Sequence, residues 1–240
     1  MNAFLHNKIC INTLAPKPGI TIWYARIREI IHSIFKEKAF VDFTALPNDL
    51  FDEQDFIACF FSREELRTIN GFKALKKQIE WISGRYLIKQ MMQQLLFVND
   101  AFDQITLSYH EKGAPFLTTL PCLPVSLSHS NGYTASACCR DKRQKLGIDI
   151  EKITKKPDPF FMKTAFTQNE IEQLTDDVAQ IFKNWTIKEA YLKYIKMGFH
   201  ESLHKVEVIN NEIFHNRRKI NVNVFSTFIE DDYVLSLVSD

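Results

Sequence analysis

The stretch Gly147-Ile148-Asp149-Ile150-Glu151 decides how this sequence builds a site. Apolar and acidic residues alternate in it with the two-residue period of a β-strand, so Ile148 and Ile150 face a core while Asp149 and Glu151 share the opposite face. Same-face side chains on a strand start about 6.5–7 Å apart, which lets two carboxylates converge on a hard cation such as Mg²⁺. The stretch therefore predicts a strand that carries a pair of metal-binding acids.

A second stretch, Trp185 to Lys193, is typical of a helix. Glu189 and Lys193 are four residues apart and face the same way, with Lys188 beside them. Taken separately, each stretch is more typical of a solvated strand face or an ordinary surface ion pair than of a site. Together with Ser128-His129-Ser130 upstream, they form a much more specific pattern.

These three motifs, in this order, closely resemble the signature of the 4′-phosphopantetheinyl transferases of the long, surfactin-synthetase-activating type. The resemblance extends over about residues 60–200. It implies an α+β fold of two similar halves related by a pseudo-twofold axis, with the active site in the cleft between them. It also implies transfer of the 4′-phosphopantetheine arm of coenzyme A to a serine of an apo acyl, peptidyl or aryl carrier protein, which becomes the holo form. The pathway, whether fatty acid, polyketide or nonribosomal peptide synthesis, is left open.

The same resemblance implies a role for each motif residue. Asp149, Glu151 and Glu189 would hold Mg²⁺, which neutralises charge on the pyrophosphate. Lys193 and Lys188 would stabilise the leaving adenosine bisphosphate. Glu189 is interpreted as a metal ligand, as the general base for the serine hydroxyl, or as both. Glu189, Lys193 and Lys188 are thus the predicted catalytic residues.

Coenzyme A would be bound by groups that bond phosphate or line the nucleotide. These are His129, Ser128, Arg85, Lys188, Lys193, Gly113 and Pro115. In the family the histidine contacts the 3′-phosphate, although His129 equally fits a histidine bonded to backbone at a strand end. Arg85 is a second candidate because a guanidinium matches phosphate geometry. Four further basic residues are candidates that the sequence does not rank: Arg67, Lys73, Lys76 and Lys77.

One departure from the family pattern concerns the nucleotide. The usual triplet Gly-Lys-Pro is here Gly113-Ala114-Pro115, so a basic contact beside the adenine is missing unless Lys112 replaces it.

An internal repeat of roughly one hundred residues is the second organising feature. Phe61–Glu65 and Phe166–Glu170 are both capping boxes preceded by phenylalanine, each predicting a helix start. Trp81–Lys89 aligns with Trp185–Lys193 at an offset of 104, which sets Arg85 opposite Glu189. We infer two α+β halves, residues 39–140 and 141–240, after an extension over residues 1–38.

The extension is only partly interpretable from the sequence. Residues 20–35 place isoleucines at helical spacing, which predicts an amphipathic helix that packs on the body or docks on a partner.

Composition excludes several classes of protein. The chain has 240 residues, 45% hydrophobic content and a net charge of +1, which indicates a globular protein with neither a nucleic-acid-binding surface nor a membrane span. The first residues lack the apolar core of a signal peptide, so we expect a cytoplasmic protein, and a monomer. Five cysteines without metal-type spacing predict reduced thiols, with Cys138 and Cys139 in the core.

Two alternatives to the transferase remain at this stage. One is a Mg²⁺-dependent phosphohydrolase of a nucleotide or coenzyme A, and the other is a non-catalytic coenzyme A-binding protein. For the transferase, Ile195–His200 is the predicted docking segment for an acidic carrier protein. Phe199 within it equally fits a core residue.

Overall fold

The computed structural model describes residues 9–35, 59–96, 100–174, 176–230 and 232–240. Before residue 140 the elements are β1 (Asn12–Lys17), β2 (Ile20–Arg26), α1 (Ile27–Phe35), α2 (Arg63–Gly71), α3 (Leu75–Leu96), β3 (Leu107–Tyr109), β4 (Pro115–Leu117), β5 (Val125–Ser130) and β6 (Tyr133–Cys139). After it come β7 (Leu146–Lys152), α4 (Pro159–Ala165), α5 (Gln168–Gln173), α6 (Val178–Tyr194), β8 (Val206–Ile209), β9 (Glu212–His215), β10 (Arg218–Ile220), β11 (Asn223–Ile229) and β12 (Tyr233–Ser239). The protein is therefore of the mixed α+β class that the sequence predicted.

The first sheet has the strand order β1-β2-β6-β5, with antiparallel neighbours. One of its faces contributes Trp23, Ala25 and Cys138 to a core shared with α1 and α3. The opposite face packs on the second sheet, where Ile22 and Ala137 belong to the same core as the apolar residues of β7 and β12. Alternation along the strands thus divides the first sheet between two cores.

The predicted helix over residues 20–35 is correct only in its second part. Residues 27–35 are helical and bury four isoleucines, but residues 20–26 form β2. The reason is local composition, because Ile20-Thr21-Ile22-Trp23-Tyr24 is rich in the β-branched and aromatic residues that favour strands. Since β2 pairs with β6, residues 20–35 pack with the first half, and the proposed boundary at residue 38 lies outside the described residues.

The second sheet has the order β11-β12-β7, and its pairing resembles that of the first. Strands β2 and β6 pair over seven positions that end at Arg26 and Tyr133. Strands β7 and β12 likewise pair over seven positions that end at Lys152 and Tyr233. Helix α6 packs on β7 and β12 and carries a further core with β8 and β9.

Two buried lysines make matching contacts in the two parts of the chain. Lys89 Nζ bonds the capping-box residue Glu65 at 2.5 Å and lies 5.1 Å from the ring of Phe61. Lys188 Nζ bonds the capping-box residue Glu170 at 2.6 Å and lies 5.2 Å from the corresponding phenylalanine ring. Both capping boxes form as predicted.

These contacts correct the repeat alignment. By its surroundings Lys89 corresponds to Lys188, not to Lys193, so Arg85 corresponds to Asn184 and not to Glu189. The alignment at an offset of 104 relied on a tryptophan followed eight residues later by a lysine. That spacing occurs on both helices, but the residues it matches are not structurally equivalent.

Two compositional predictions can be compared with the described elements. Among the described helices, none has the length and apolar character needed to cross a membrane. Cys138 and Cys139 are both buried in β6 as free thiols, as expected for core residues, and burial raises the pKa of each.

Candidate active site

A cavity of about 370 Å³ is lined by residues from both sides of position 140. Nine of the ten residues predicted to form the site line it: Arg85, Gly113, Pro115, Ser128, His129, Asp149, Glu151, Glu189 and Lys193. Lys188 does not. Residues far apart in the sequence are thus brought together largely as the motifs indicated.

Strand β7 presents the two acids as the alternation predicted. Ile148 and Ile150 are fully buried in the core between the sheets, and Asp149 and Glu151 point to the cavity. The face of β7 that carries the acids is not exposed to solvent, however, because α6 covers it. Asp149 is accordingly only 2% exposed.

A ladder of serines on β5 fixes the free edge of β7. The hydroxyls of Ser126, Ser128 and Ser130 accept hydrogen bonds from backbone N–H groups of Ile148, Ile150 and Lys152 at 3.1–3.4 Å. Two of these hydroxyls also donate to the acids, Ser128 to Asp149 Oδ1 and Ser130 to Glu151 Oε2, each at 2.6 Å. The serines therefore hold both the strand and its carboxylates.

Helix α6 approaches β7 closely at Gly147. A Cβ placed on this glycine would lie 2.1 Å from the carbonyl oxygen of Ala190, so only glycine allows the contact. Gly147 is thus a packing residue within a strand. The close packing brings Glu189 and Lys193 of α6 to the cavity.

Lys193 is the cation at the centre of the acidic group. Its Nζ donates to Asp149 Oδ1 at 2.7 Å and to Ser128 Oγ at 3.0 Å. Burial lowers the pKa of Lys193, but the charges of Asp149 and Glu189 outweigh this effect and raise it. The ammonium therefore stays charged at neutral pH.

The carboxylates have strongly altered affinities for protons. Burial, and then the charge of Asp149, raises the pKa of Glu151 to about 7. The same two causes raise the pKa of Glu189 to about 8. Like charges gathered in a poorly hydrated space favour protonation, as often seen in catalytic sites.

No group of three or more His, Cys, Asp or Glu side chains within the described ranges is close enough to hold a metal ion. The three acids instead share the cavity with the Lys193 ammonium. Asp149 Oδ2 is nevertheless buried and has no hydrogen-bond partner among the described residues. A set of carboxylate oxygens with one unsatisfied member fits the ligand chemistry of a hard divalent cation.

Lys188 lies elsewhere, in disagreement with its predicted catalytic and coenzyme-binding roles. It is completely buried, pairs with Glu170, and donates to the carbonyl oxygen of Ala165 at 2.8 Å. Burial lowers its pKa, against the opposing charge of Glu170. Adjacent residues of a helix point about 100° apart, so Lys188 faces the core below the capping box while Glu189 faces the cavity.

His129 lies at the end of β5, as predicted, and lines the cavity. Partial burial, followed by the charges of Lys193 and Lys77, lowers its pKa to about 4. The imidazole is therefore neutral at pH 7. The cations that suppress its charge create a positive potential that would attract an anion.

Arg85 reaches the cavity but is heavily engaged by the protein. Its guanidinium lies 4.4 Å from the ring of Trp81 and 5.1 Å from the ring of Tyr109, and Nη2 donates to the tyrosine hydroxyl. Within the described chain, its buried Nε has no hydrogen-bond partner and lies 3.9 Å from Glu65 Oε1. Fewer of the guanidinium N–H groups of Arg85 are therefore available to a phosphate than the sequence suggested.

The loop with the altered triplet meets the segment after α6. Lys112 lines the cavity, and its Nζ lies 2.8 Å from Met197 Sδ. Lys196 and Gly198 line the same side. Phe199 is 71% exposed, so the interpretation of this residue as core is wrong.

The sequence did not predict several residues that line the cavity. Among them are Glu80, Trp81, Tyr109 and Lys196. Two of them had a usable signal, because Glu80 and Trp81 share a face of α3 with Gly84 and Arg85 at helical spacing. Ser126 and Ser130 had the two-residue period of β5 in common with Ser128.

Comparison with known proteins adds an independent finding. Residues 145–238 match the model of the 4′-phosphopantetheinyl transferase superfamily. The chain is 24% identical over 207 residues to the 4′-phosphopantetheinyl transferase gsp of Aneurinibacillus migulanus, covering 82% of this chain and 84% of that protein.

Two further relatives match over shorter stretches. The L-aminoadipate-semialdehyde dehydrogenase-phosphopantetheinyl transferase of Rattus norvegicus is 29% identical over 161 residues, which is 60% of this chain and 51% of that protein. The 4′-phosphopantetheinyl transferase HetI of Nostoc sp. is 28% identical over 161 residues, 63% of this chain and 66% of that one. The chain thus spans about half the length of the rat relative.

Proposed function

Since its residues 145–238 belong to the 4′-phosphopantetheinyl transferase superfamily, we propose that this protein transfers the 4′-phosphopantetheine arm of coenzyme A to a serine of an apo carrier protein. The observation that carries the proposal is the convergence of Asp149, Glu151, Glu189, Lys193 and His129 on one cavity. These groups match what the reaction requires, which is neutralisation of a pyrophosphate, a base for a hydroxyl and a site for a nucleotide phosphate.

We propose Mg²⁺ as the metal, held by Asp149, Glu151 and Glu189. The unsatisfied Oδ2 of Asp149 and the mutual repulsion among the acids support this assignment, because a divalent cation would relieve both. When bound, the ion would supply Lewis-acid neutralisation of the pyrophosphate oxygens. Ser128 and Ser130 would orient two of the ligands from behind, as hydrogen-bonded outer partners of metal sites commonly do.

Lys193 is proposed to bind the phosphates directly. Its charged ammonium lies at the cavity and already touches Asp149, so it is held in place before a substrate arrives. Such a preorganised cation stabilises the negative charge that develops on the leaving adenosine bisphosphate. Lys188 has no part in this step because Glu170 holds it in the core.

Glu189 remains a ligand, a base, or both. In the metal-free protein, burial and the charge of Asp149 raise the pKa of Glu189 to about 8. A bound cation would lower this pKa, so Glu189 would be ionised and able to take the serine proton once the ion is held. The proposed step forms a bond from the serine oxygen to the β-phosphorus of the donor and breaks the bond from that phosphorus to the bridging oxygen. The serine proton passes to Glu189 or through water, and the adenosine bisphosphate leaves.

We infer that two halves, residues 141–240 and a first half that includes β2 as well as the predicted range 39–140, are related by a pseudo-twofold axis. The matching strand pairing and the matching contacts of Lys89 and Lys188 support this. We further propose a cytoplasmic monomer whose carrier protein docks on Ile195–His200, where Phe199 is exposed. Gly113 and Pro115 would line the nucleotide.

The decisive experiment incubates the full chain with coenzyme A, Mg²⁺ and a panel of apo acyl, peptidyl and aryl carrier proteins. We expect a phosphopantetheine mass on the carrier serine, by intact-mass spectrometry, and release of adenosine bisphosphate only when an apo carrier is present. Carriers with the serine replaced by alanine are the control. Release without a carrier would instead indicate the phosphohydrolase, and binding of coenzyme A without release would indicate a non-catalytic binding protein.

A further inference from the structure

Lys196 lies just beyond the C-terminus of α6, and its backbone is left-handed, with a φ of 57°. Its N–H donates to the carbonyl oxygen of Lys193 at 3.0 Å, and the N–H of Met197 donates to that of Leu192 at 3.1 Å. These two bonds form a Schellman motif, in which the left-handed position is usually glycine because a side chain there reduces stability. A lysine held in this conformation at the edge of a cavity points to a role for its side chain.

The charge of this side chain is available to a ligand. The lysines and arginines that line the cavity are Arg85, Lys112, Lys193 and Lys196. The first three already contact other side chains, which are a tyrosine, a methionine sulfur and a carboxylate in that order. Within the described chain, the ammonium of Lys196 has neither a hydrogen-bond partner nor an ion-pair partner. An unpaired cation at a cavity favours the binding of an anion.

Lys196 lies on the wall of the cavity that includes the loop of the altered triplet. The two residues after it meet this loop, since Met197 Sδ lies 2.8 Å from Lys112 Nζ and a Cβ on Gly198 would lie 3.7 Å from the carbonyl oxygen of Lys112. Ala114 of the loop also lines the cavity and carries no charge. Because the methionine sulfur occupies the ammonium of Lys112, Lys196 is the cation of this wall that is left for a ligand.

The position of Lys196 along α6 indicates which phosphate it would meet. Lys193 is proposed to hold the pyrophosphate beside the acids, while Gly113 and Pro115 would line the nucleotide. Lys196 follows Lys193 by three residues, which is about 4.5 Å further along the helix axis toward the loop. The phosphate between the acids and the nucleoside is the one on the adenosine 5′-oxygen. The 3′-phosphate has a separate candidate in His129, at the end of β5.

We propose that Lys196 is a further binding residue, whose ammonium pairs with the 5′-phosphate of the nucleotide half of coenzyme A. This rests on the proposed function, because coenzyme A is taken as the ligand of the cavity. The same phosphate is present in the donor and in the leaving adenosine bisphosphate, so the contact acts mainly on binding. Lys196 is exposed, and water screening keeps the effect of a single ion pair modest.

The test is calorimetric titration of the full chain with adenosine 3′,5′-bisphosphate and with adenosine 3′-monophosphate, which lacks the 5′-phosphate. Lys196→Gly should weaken binding of the bisphosphate about three- to tenfold and leave binding of the 3′-monophosphate unchanged. Its melting temperature should not fall, because glycine adopts a φ of 57° without strain. Weaker binding by an equally stable protein is what a merely structural role would not produce.

Matched variants separate the charge from the backbone conformation. Arg217→Gly also removes an exposed cation from a left-handed position, with a φ of 64°, but away from the cavity, so both affinities should be unchanged. Lys196→Arg should keep the affinity for the bisphosphate. Lys196→Asn, which also tolerates the left-handed conformation, should lose it and provides a second neutral variant if Lys196→Gly does not fold.

The outcomes distinguish this role from the proposed function. An unchanged affinity for the bisphosphate in Lys196→Gly, or an equal loss for both ligands, would overturn the role of Lys196. The titration needs no carrier protein. A wild type that binds the bisphosphate but transfers nothing to any carrier would contradict the transferase and not Lys196, whereas a wild type that does not bind the bisphosphate would overturn both.

Discussion

Gly147 on β7 lies so close to the carbonyl oxygen of Ala190 on α6 that the two backbones are in direct contact. Ala190 is the neighbour of Glu189, and Gly147 is two residues before Asp149. The contact therefore sets the separation between the strand that carries two of the acids and the helix that carries the third acid and Lys193.

Gly147→Ala should accordingly disturb both the fold and the site. The added Cβ would lie 2.1 Å from a backbone oxygen that cannot move without the helix. We expect this overpacking to cost about 1–3 kcal/mol of the free energy of unfolding and most of the transfer activity. Thermal and denaturant unfolding, with carrier transfer measured below the transition, tests this. The control is Gly71→Ala, because no atom lies within 4 Å of a Cβ there. Equal effects of the two substitutions would contradict the packing role.

Lys188 and Lys193 should separate structure from catalysis on one helix. Lys188→Met leaves Glu170 buried without its cation, so we expect a loss of about 3–5 kcal/mol in the free energy of unfolding. Any folded Lys188→Met protein should keep its KM for coenzyme A. Lys193→Met should lower kcat at least a hundredfold with a smaller change in melting temperature, because Asp149 keeps the hydrogen bond from Ser128 and lines the cavity.

Both the melting temperature and kcat are measured for Lys188→Met and for Lys193→Met. Loss of kcat in a fully stable Lys188→Met protein would return that lysine to the site.

The motifs placed nine of the ten predicted site residues at the cavity because each placement depends on a local rule. The period of β7 turned Asp149 and Glu151 to one face, and the turn of α6 placed Glu189 beside Lys193 on one side. Lys188 was misplaced because a motif gives the order of residues and not the face of the helix. Its partner, Glu170, comes from a separate helix that only the fold brings near.

Other features depend on contacts that no local pattern reveals. The predicted helix extended back over β2 because the helical spacing of Ile27, Ile30, Ile31 and Ile34 in α1 does not show where that helix begins. Pairing with β6 makes residues 20–26 a strand. The serine ladder required knowing that β5 lies beside β7. Glu80 lies near His129 only because the fold brings α3 against the end of β5.

Mg²⁺ binding should release protons and strengthen with pH. Glu151 and Glu189 have pKa values raised to about 7 and about 8 in the metal-free protein, so both are largely protonated at pH 6 and must ionise to bind a cation. We expect the affinity for Mg²⁺ to rise between about pH 6 and pH 8 and then to level off. Calorimetric titration in two buffers of different ionisation enthalpy measures the protons released, and Asp149→Asn serves as the control with weakened binding. An affinity independent of pH over this range would contradict the assignment of these acids as ligands.

Carrier docking is the last prediction, and two exposed phenylalanines at separate places on the surface test it. Phe199 is 71% exposed in the segment whose residues Lys196 and Gly198 line the cavity, while Phe160 is 81% exposed on α4 and does not line the cavity. Phe199→Ala should raise the KM for the carrier protein about tenfold and leave the KM for coenzyme A unchanged, because an exposed aromatic anchor contributes to protein partners and not to a ligand inside the cavity. Lys196→Ala should raise the KM for the carrier and the KM for coenzyme A. Its neighbour Met197 contacts Lys112, which precedes the triplet Gly113-Ala114-Pro115 proposed to line the nucleotide. Phe160→Ala is the matched control with the same loss of exposed apolar surface. An increase in the carrier KM for Phe160→Ala alone would indicate that the carrier docks on α4. Ile195–His200 would then serve only to line the cavity that binds the nucleotide.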